Sequence, residues 1–346
     1  MSHEIHVSRR GAIGHILLDR PKALNAVTLT MVRAISWALD EWRADAAVKA
    51  VVVEAVGEKA FSAGGDIRQL YEQGRAGDHN AQLEFWREEY ILNERIRAYP
   101  KPYVALVDGM VMGGGVGISL HGSHRIAGDR FAFAMPEVGI GFFPDVGATF
   151  LLPRLPGRMG IYLAMTGARA KTGDAIALGL ADAHVPSADM SAFSESLTEA
   201  GDVEGSIARF RAPPPDAHLM AHRDVIDRCF EGEAVADILS KLDADGSDFA
   251  RATAKTMREK SPTSLAIALR QMQAGGSLGM RDAMRTEFRI VSRLCRGHEF
   301  LEGIRATIID KDGAPRWQPA SMEAIRPSDI DGYFAPLDTD ELTFPA

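Results

Sequence analysis

Short apolar runs rich in β-branched residues alternate with stretches of helical period through the first half of the chain. GHILLDR (Gly14 to Arg20), KAVVVEAV (Lys49 to Val56), PYVALVDG (Pro102 to Gly109) and HRIAGD (His124 to Asp129) predict strands. LTMVRAISWALDEWRAD, Leu29 to Asp45, repeats its apolar residues at helical spacing and predicts a helix between the first two. Several strand candidates run into a turn signal and then into helix-period sequence, the alternation of an α/β chain.

That pattern stops at FRAPPPDAHLM, where Pro213, Pro214 and Pro215 interrupt any helix. A domain boundary is expected there, with residues 1–212 forming the core that carries the active site. Residues 213–346 read as mainly helical, from Ala234 to Leu242, Asp248 to Arg258, Ser264 to Gln273 and Arg281 to Cys295, followed by a mixed, acidic tail.

Composition narrows the function classes. The 346 residues are 46% hydrophobic and 25% charged, which suits a globular protein with a substantial core. A formal charge of -8 and the lack of any long Lys/Arg block argue against a nucleic-acid partner. Cys229 and Cys295 lie far apart and make no CxxC pair, so buried free thiols are expected in place of a zinc or redox site. With no run of about 18 apolar residues and no apolar leader in MSHEIHVSRRGAIGHILLDRP, a soluble cytoplasmic protein with no membrane partner is expected.

Candidate chemistry concentrates around glycine. In MGGGVGISLHG, Met112 to Gly122, counting GxGxxG from Gly113 or Gly115 puts Ile118 or Leu120 at the third glycine position. No P-loop fits either, because Gly117 is followed by Ile118 and Ser119 where Lys is needed. A strand running into a glycine turn and a helix start does leave backbone amides free to hold developing negative charge. GEKAFSAGGDI, Gly57 to Ile67, repeats the arrangement, so Ala63 and Gly114 could each give an amide to one carbonyl oxygen. The competing reading is that these glycines only permit close helix-to-strand packing.

AFSAGGDI, KPYVALVDGMVMGGGVGISLHG and FAMPEVGIGFFPDVGATFLLPRLPG together resemble the crotonase (enoyl-CoA hydratase/isomerase) superfamily, and within it the subfamily that hydrolyses 3-hydroxyisobutyryl-CoA. The likeness continues through WREEYILN, LAMTGARAKTGDAIALGLADAHV and RGHEFLEGIRATIIDKDGAPRW, nearly the whole chain. It implies a spiral of ββα units with a helical C-terminal region, and an acyl-CoA thioester whose carbonyl is held by the amides matching Ala63 and Gly114. Coenzyme A enters as part of the substrate, so no separate cofactor or metal is implied. A homo-oligomer is compatible with the superfamily.

Carboxylates discriminate among the superfamily's reactions. Hydratases of this type carry a glutamate two residues after the triple glycine, where this chain has Gly117. The hydrolase pattern keeps a glutamate matching Glu137 and adds an aspartate matching Asp145. The resemblance implies that Glu137 attacks the carbonyl or activates water, and that Asp145 handles a proton or binds the substrate hydroxyl. Their neighbours, Met135-Pro136 and Phe142-Phe143-Pro144, predict low-polarity surroundings that raise carboxyl pKa values; a helix cap at Asp145 is the alternative. The resemblance also points to Glu89 beside the acyl pocket and to Gly64, Asp66 and Ile67 along the coenzyme A path; Lys22, Lys59 and Arg68 are candidate phosphate partners by their charge alone. Glu89 could equally be a solvated helix charge. His121/His124 and His218/His222 form no HExxH, and no GxSxG serine elbow occurs. The function expected is hydrolysis of a short-chain 3-hydroxyacyl-CoA thioester in valine breakdown, with enoyl-CoA hydration or isomerisation and a non-catalytic acyl-CoA scaffold as alternatives.

Overall fold

The structure, a computed structural model, describes residues 4–345. Its chain divides into two units. The first comprises residues up to Gly65, Glu88–Ala134 and Arg169–Met220; the second comprises Asp66–Arg87, Met135–Ala168 and the chain from Ala221 onward. A single cut at residue 213 therefore does not describe the organisation. The prolines do fall close to the start of the long helical segment, but that segment shares its unit with two pieces taken from the N-terminal half.

All ten described strands lie in the first unit. They are β1 (Ile5–Arg10), β2 (Ile13–Leu18), β3 (Ala50–Ala55), β4 (Ala60–Ser62), β5 (Tyr103–Val107), β6 (Met110–Met112), β7 (His124–Ala127), β8 (Ala132–Ala134), β9 (Ala170–Lys171) and β10 (Ala183–His184). Six form one sheet, in the order β1-β2-β3-β5-β7-β10, and four form another, in the order β4-β6-β8-β9. From β3 to β8, each turn of chain gives one strand to the large sheet and the next to the small one, and the last two strands enter in the reverse order, β9 in the small sheet and β10 in the large. Successive turns pair in parallel, Val52 with Val104 and Leu106 with Ile126 in the large sheet, and Ala60 with Met110 and Val111 with Phe133 in the small one. This is the spiral that the resemblance implies.

The long strands are apolar because parallel strands are covered on both faces. Residues 50–53 of β3 and every residue of β5 are buried. One face carries Ile13, Val52, Val104, Leu106 and Ile126 against Phe193, Leu197 and Val203 of two late helices, Met190–Ala200 and Val203–Phe210. Toward the other face, the helix Leu29–Ala44 starts at Thr28, whose hydroxyl accepts from the Met31 amide, and its Trp42 occupies the space that glycine leaves at Gly14.

Among the described residues, the regular structure of the second unit is all helical. Its main helices are Ile67–Arg75, Met159–Thr166, Val235–Asp245, Asp248–Arg258, Pro262–Gly275 and Met280–Leu294. Trp86, Phe142 and Phe300 form an aromatic cluster there, with Trp86 stacked on Phe142 at a centroid separation of 5.6 Å.

Candidate active site

In the first unit, the parallel pairing of β4 with β6 decides the geometry. The segments that follow these two strands leave the small sheet on the same side, so the turn at 63–65 comes to lie against the triple glycine. Gly114 begins a one-turn helix, Gly114–Gly117, and as its first residue has an amide with no intrahelical partner. A Cβ built on Gly114 would stand 3.3 Å from the Gly65 nitrogen and 2.5 Å from Oε1 of Glu89. Glycine is required at 114 because anything larger would fill the space that these groups face.

Ala63 does not supply the second amide. Its N–H already donates to the Leu24 carbonyl at 2.9 Å, and the Gly64 amide donates to the Ser62 hydroxyl at 3.3 Å. A donor committed to a carbonyl cannot also hold a ligand oxygen. The amides of Gly65 and Gly114 have no acceptor among the described residues, so the expected pair is corrected from Ala63/Gly114 to Gly65/Gly114. Gly64 supports that pair through its backbone, whose φ of 111° few other residues adopt and whose carbonyl accepts from Val27 at 2.8 Å.

Glu89 is not a solvated charge. It lies on the helix His79–Arg97, is only 1% exposed, and points its carboxyl at Gly114. The neighbouring Glu88 takes the surface role, pairing with Arg33 at 2.6 Å.

In the second unit, Glu137 opens the short 3-10 helix Glu137–Ile140 and is 6% exposed. Its Oε2 has no hydrogen-bond partner among the described residues. Burial, and then the nearby charge of Asp145, push its pKa well above the ordinary 4.5. Asp145, 5% exposed, sits in a loop of unusual backbone: Val146 adopts φ 51° and Gly147 φ 90°. A β-branched residue at positive φ is strained, so the loop needs fastening. Glu287, wholly buried, accepts from the Gly147 amide at 2.8 Å and the Thr149 amide at 2.9 Å, while Gln271 donates to the Pro144 carbonyl at 2.9 Å. Burial first, and the Asp145 charge second, raise the Glu287 pKa to about 8.

The remaining candidates are dispersed. Asp66 caps the helix Ile67–Arg75, accepting from the Gln69 amide at 3.4 Å, and Ile67 is that helix's first residue. Both belong to the second unit, as does Arg68. Lys22 and Lys59 line one cavity of the first unit together with Leu24, Asn25 and Gly57. His124 pairs with Glu204 at 3.0 Å and His222 stacks on Phe249 at 4.0 Å, both ordinary structural roles. Among the described residues no group of three or more His, Cys, Asp or Glu is placed to hold a metal, both cysteines are buried and free, and no helix is long and apolar enough to cross a membrane.

Sequence reasoning missed Glu287 and Asn93. A signal existed for Glu287, since it interrupts the apolar stripe Met280, Ala283, Met284, Phe288, Val291 of an amphipathic helix, where an acid must be buried. Asn93 lies one turn beyond Glu89 on the same helix and is 0% exposed.

The parallel spiral that closes on a glycine-lined pair of free amides points to the class. The chain belongs to the enoyl-CoA hydratase/isomerase family, whose profile matches residues 13–334. Among its relatives, the mitochondrial 3-hydroxyisobutyryl-CoA hydrolase of Rattus norvegicus is 42% identical over 99% of this chain and 91% of its own length, and that of Homo sapiens is 40% identical over the same shares. Similar solved structures include a carnitinyl-CoA dehydratase from Mycobacterium thermoresistibile (39% identical, TM-score 0.95, 99% of each chain). An enoyl-CoA hydratase from Rhodobacter sphaeroides 2.4.1 is 44% identical with a TM-score of 0.93 over 99% of this chain and 100% of that one.

Proposed function

We propose that this protein hydrolyses a short-chain 3-hydroxyacyl-CoA thioester, 3-hydroxyisobutyryl-CoA being the first candidate, as a step of valine breakdown. The observation that carries the reading is Glu137, a buried carboxyl with one oxygen unpartnered among the described residues and its proton affinity raised first by burial and then by the Asp145 charge. Such a group can take a proton near neutrality. In the proposed reaction the amides of Gly65 and Gly114 hold the thioester carbonyl oxygen. Glu137 accepts a proton from water as the hydroxide adds to the carbonyl carbon; the tetrahedral intermediate then collapses, the C–S bond breaks, and the proton passes to the departing thiolate. A thiol of pKa about 8.5 leaves readily, so no strong acid is needed.

The names of relatives divide between hydrolase and hydratase or dehydratase. Gly117 favours hydrolysis, because it offers no carboxylate where the hydratase pattern has its second acid. The two buried thiols suit a reducing compartment, and a cytoplasmic setting is part of the same proposal.

Thiol release from 3-hydroxyisobutyryl-CoA tests the reading. The parent should turn over, and Glu137→Gln and Asp145→Asn should each lose roughly 10²- to 10⁴-fold in kcat. Unchanged release by Glu137→Gln would remove that residue from the reaction. Loss of the conjugated absorbance of crotonyl-CoA, with no thiol released from the hydroxyacyl thioester, would favour the hydratase reading.

A further inference from the structure

Asn93 is wholly buried, yet neither its Nδ2 nor its Oδ1 has a hydrogen-bond partner among the described residues. A carboxamide carries two donors and a two-lone-pair acceptor, and burying it unmet is unfavourable. An apolar side chain of similar size would avoid that penalty. The amide also fits one particular gap. A Cβ built on Gly117 would lie 2.6 Å from Nδ2 and 2.8 Å from Oδ1, so the missing side chain at 117 is what gives Asn93 its room.

Gly117 ends the same one-turn helix whose first amide, Gly114, is undonated. Asn93 follows Glu89 by four residues on the helix His79–Arg97, so the two project from one face, Glu89 toward Gly114 and Asn93 toward Gly117. Gly117, which the Asn93 amide faces, lies three residues along from Gly114, a rise of about 4.5 Å. A 3-hydroxyl group is three bonds from a thioester carbonyl carbon, a commensurate separation. A hydroxyl both donates and accepts, which matches an amide presenting Oδ1 and Nδ2 together; a carboxylate could only accept.

We propose that Asn93, in the space opened by Gly117, binds the 3-hydroxyl of the acyl group and gives the enzyme its preference for hydroxylated acyl-CoA. This rests on the thioesterase reading and assigns to Asn93 the hydroxyl-binding role left open for Asp145. It makes Asn93 a specificity-determining residue that leaves bond breaking to other groups.

The test compares thiol release from 3-hydroxyisobutyryl-CoA and isobutyryl-CoA, which differ only in that hydroxyl, by the parent and by Asn93→Leu. The parent should favour the hydroxylated substrate by roughly 10- to 100-fold in kcat/KM. In Asn93→Leu that ratio should fall to within about threefold of unity, through loss on the hydroxylated substrate alone. Should Asn93→Leu not fold, Asn93→Ala, which removes the same polar atoms without adding bulk, must show the same collapse of the ratio. Equal losses on both substrates, an unchanged ratio, or a parent indifferent to the hydroxyl would each overturn the assignment while leaving the hydrolase standing. Thiol release from neither substrate by the parent would instead sink the hydrolase reading, and the assignment with it.

Discussion

Replacing Glu287 with glutamine tests whether the Asp145 loop is fastened near neutrality by a buried acid or by a buried anion. The two carboxyl oxygens accept from Gly147 and Thr149, at 2.8 and 2.9 Å. A glutamine must turn its NH₂ toward one of those amides, donor facing donor, and a buried N–H left unmet costs about 1–3 kcal/mol. Titration adds a contribution of definite sign. The folded state raises this group from 4.5 to about 8, so it keeps a proton that the unfolded chain releases. Its contribution to stability is therefore full below pH 4.5 and falls by about 1.4 kcal/mol per pH unit up to about pH 8. Glutamine does not titrate. Urea unfolding of both proteins across that range should find the parent ahead at about pH 5 and the variant ahead at about pH 8, a swing of roughly 3–4 kcal/mol. A stability gap that stays constant with pH would refute the reasoning, because Glu287 would then be ionised throughout or in contact with water.

Further outcomes follow from the same geometry. Glu137 must be ionised to accept a proton, so kcat/KM should rise with pH along a limb lying above the ordinary 4.5; in Asp145→Asn, with the neighbouring charge gone, that limb should move to lower pH, as pH–rate profiles of both proteins would show. In Gly114→Ala the new methyl would stand 2.5 Å from the Glu89 carboxyl and 3.3 Å from the Gly65 nitrogen, so thiol release should fall roughly 10²- to 10³-fold while circular dichroism keeps the parent's shape. Trp86→Ala removes an indole stacked on Phe142 and packed edge-on against Phe300, and should cost about 3–5 kcal/mol in denaturant unfolding.

What the sequence disclosed depended on the length scale of each feature. The long strands were legible because short runs of consecutive β-branched apolar residues, such as Val51, Val52 and Val53, favour a strand covered on both faces. The three-residue strands Ala60–Ser62, Met110–Met112 and Ala132–Ala134 were not, because three residues carry no readable period; they exist through pairing with neighbours far away in the chain. The carboxylates Glu137 and Asp145 were visible as acids in apolar surroundings. Which amide of AFSAGGDI stays free was not, since it depends on Leu24, whose carbonyl reaches Ala63 only once the chain has folded. The proline run marked where helices take over, but nothing in local sequence reports that residues 66–87 and 135–168 join them.

The interleaving of the two units bears on how the protein can be made. The chain passes from one unit to the other after residues 65, 87, 134, 168 and 220, so neither is a continuous piece. A nascent chain emerging from the ribosome holds the paired strands of the spiral well before Met220 arrives to complete their unit, and the helical unit waits for the segments after Ala221. Distant partners of this kind slow folding and leave apolar edges uncovered meanwhile. A translational pause or a truncation after the prolines would therefore strand two helical excursions without companions, giving aggregation in place of a smaller working enzyme.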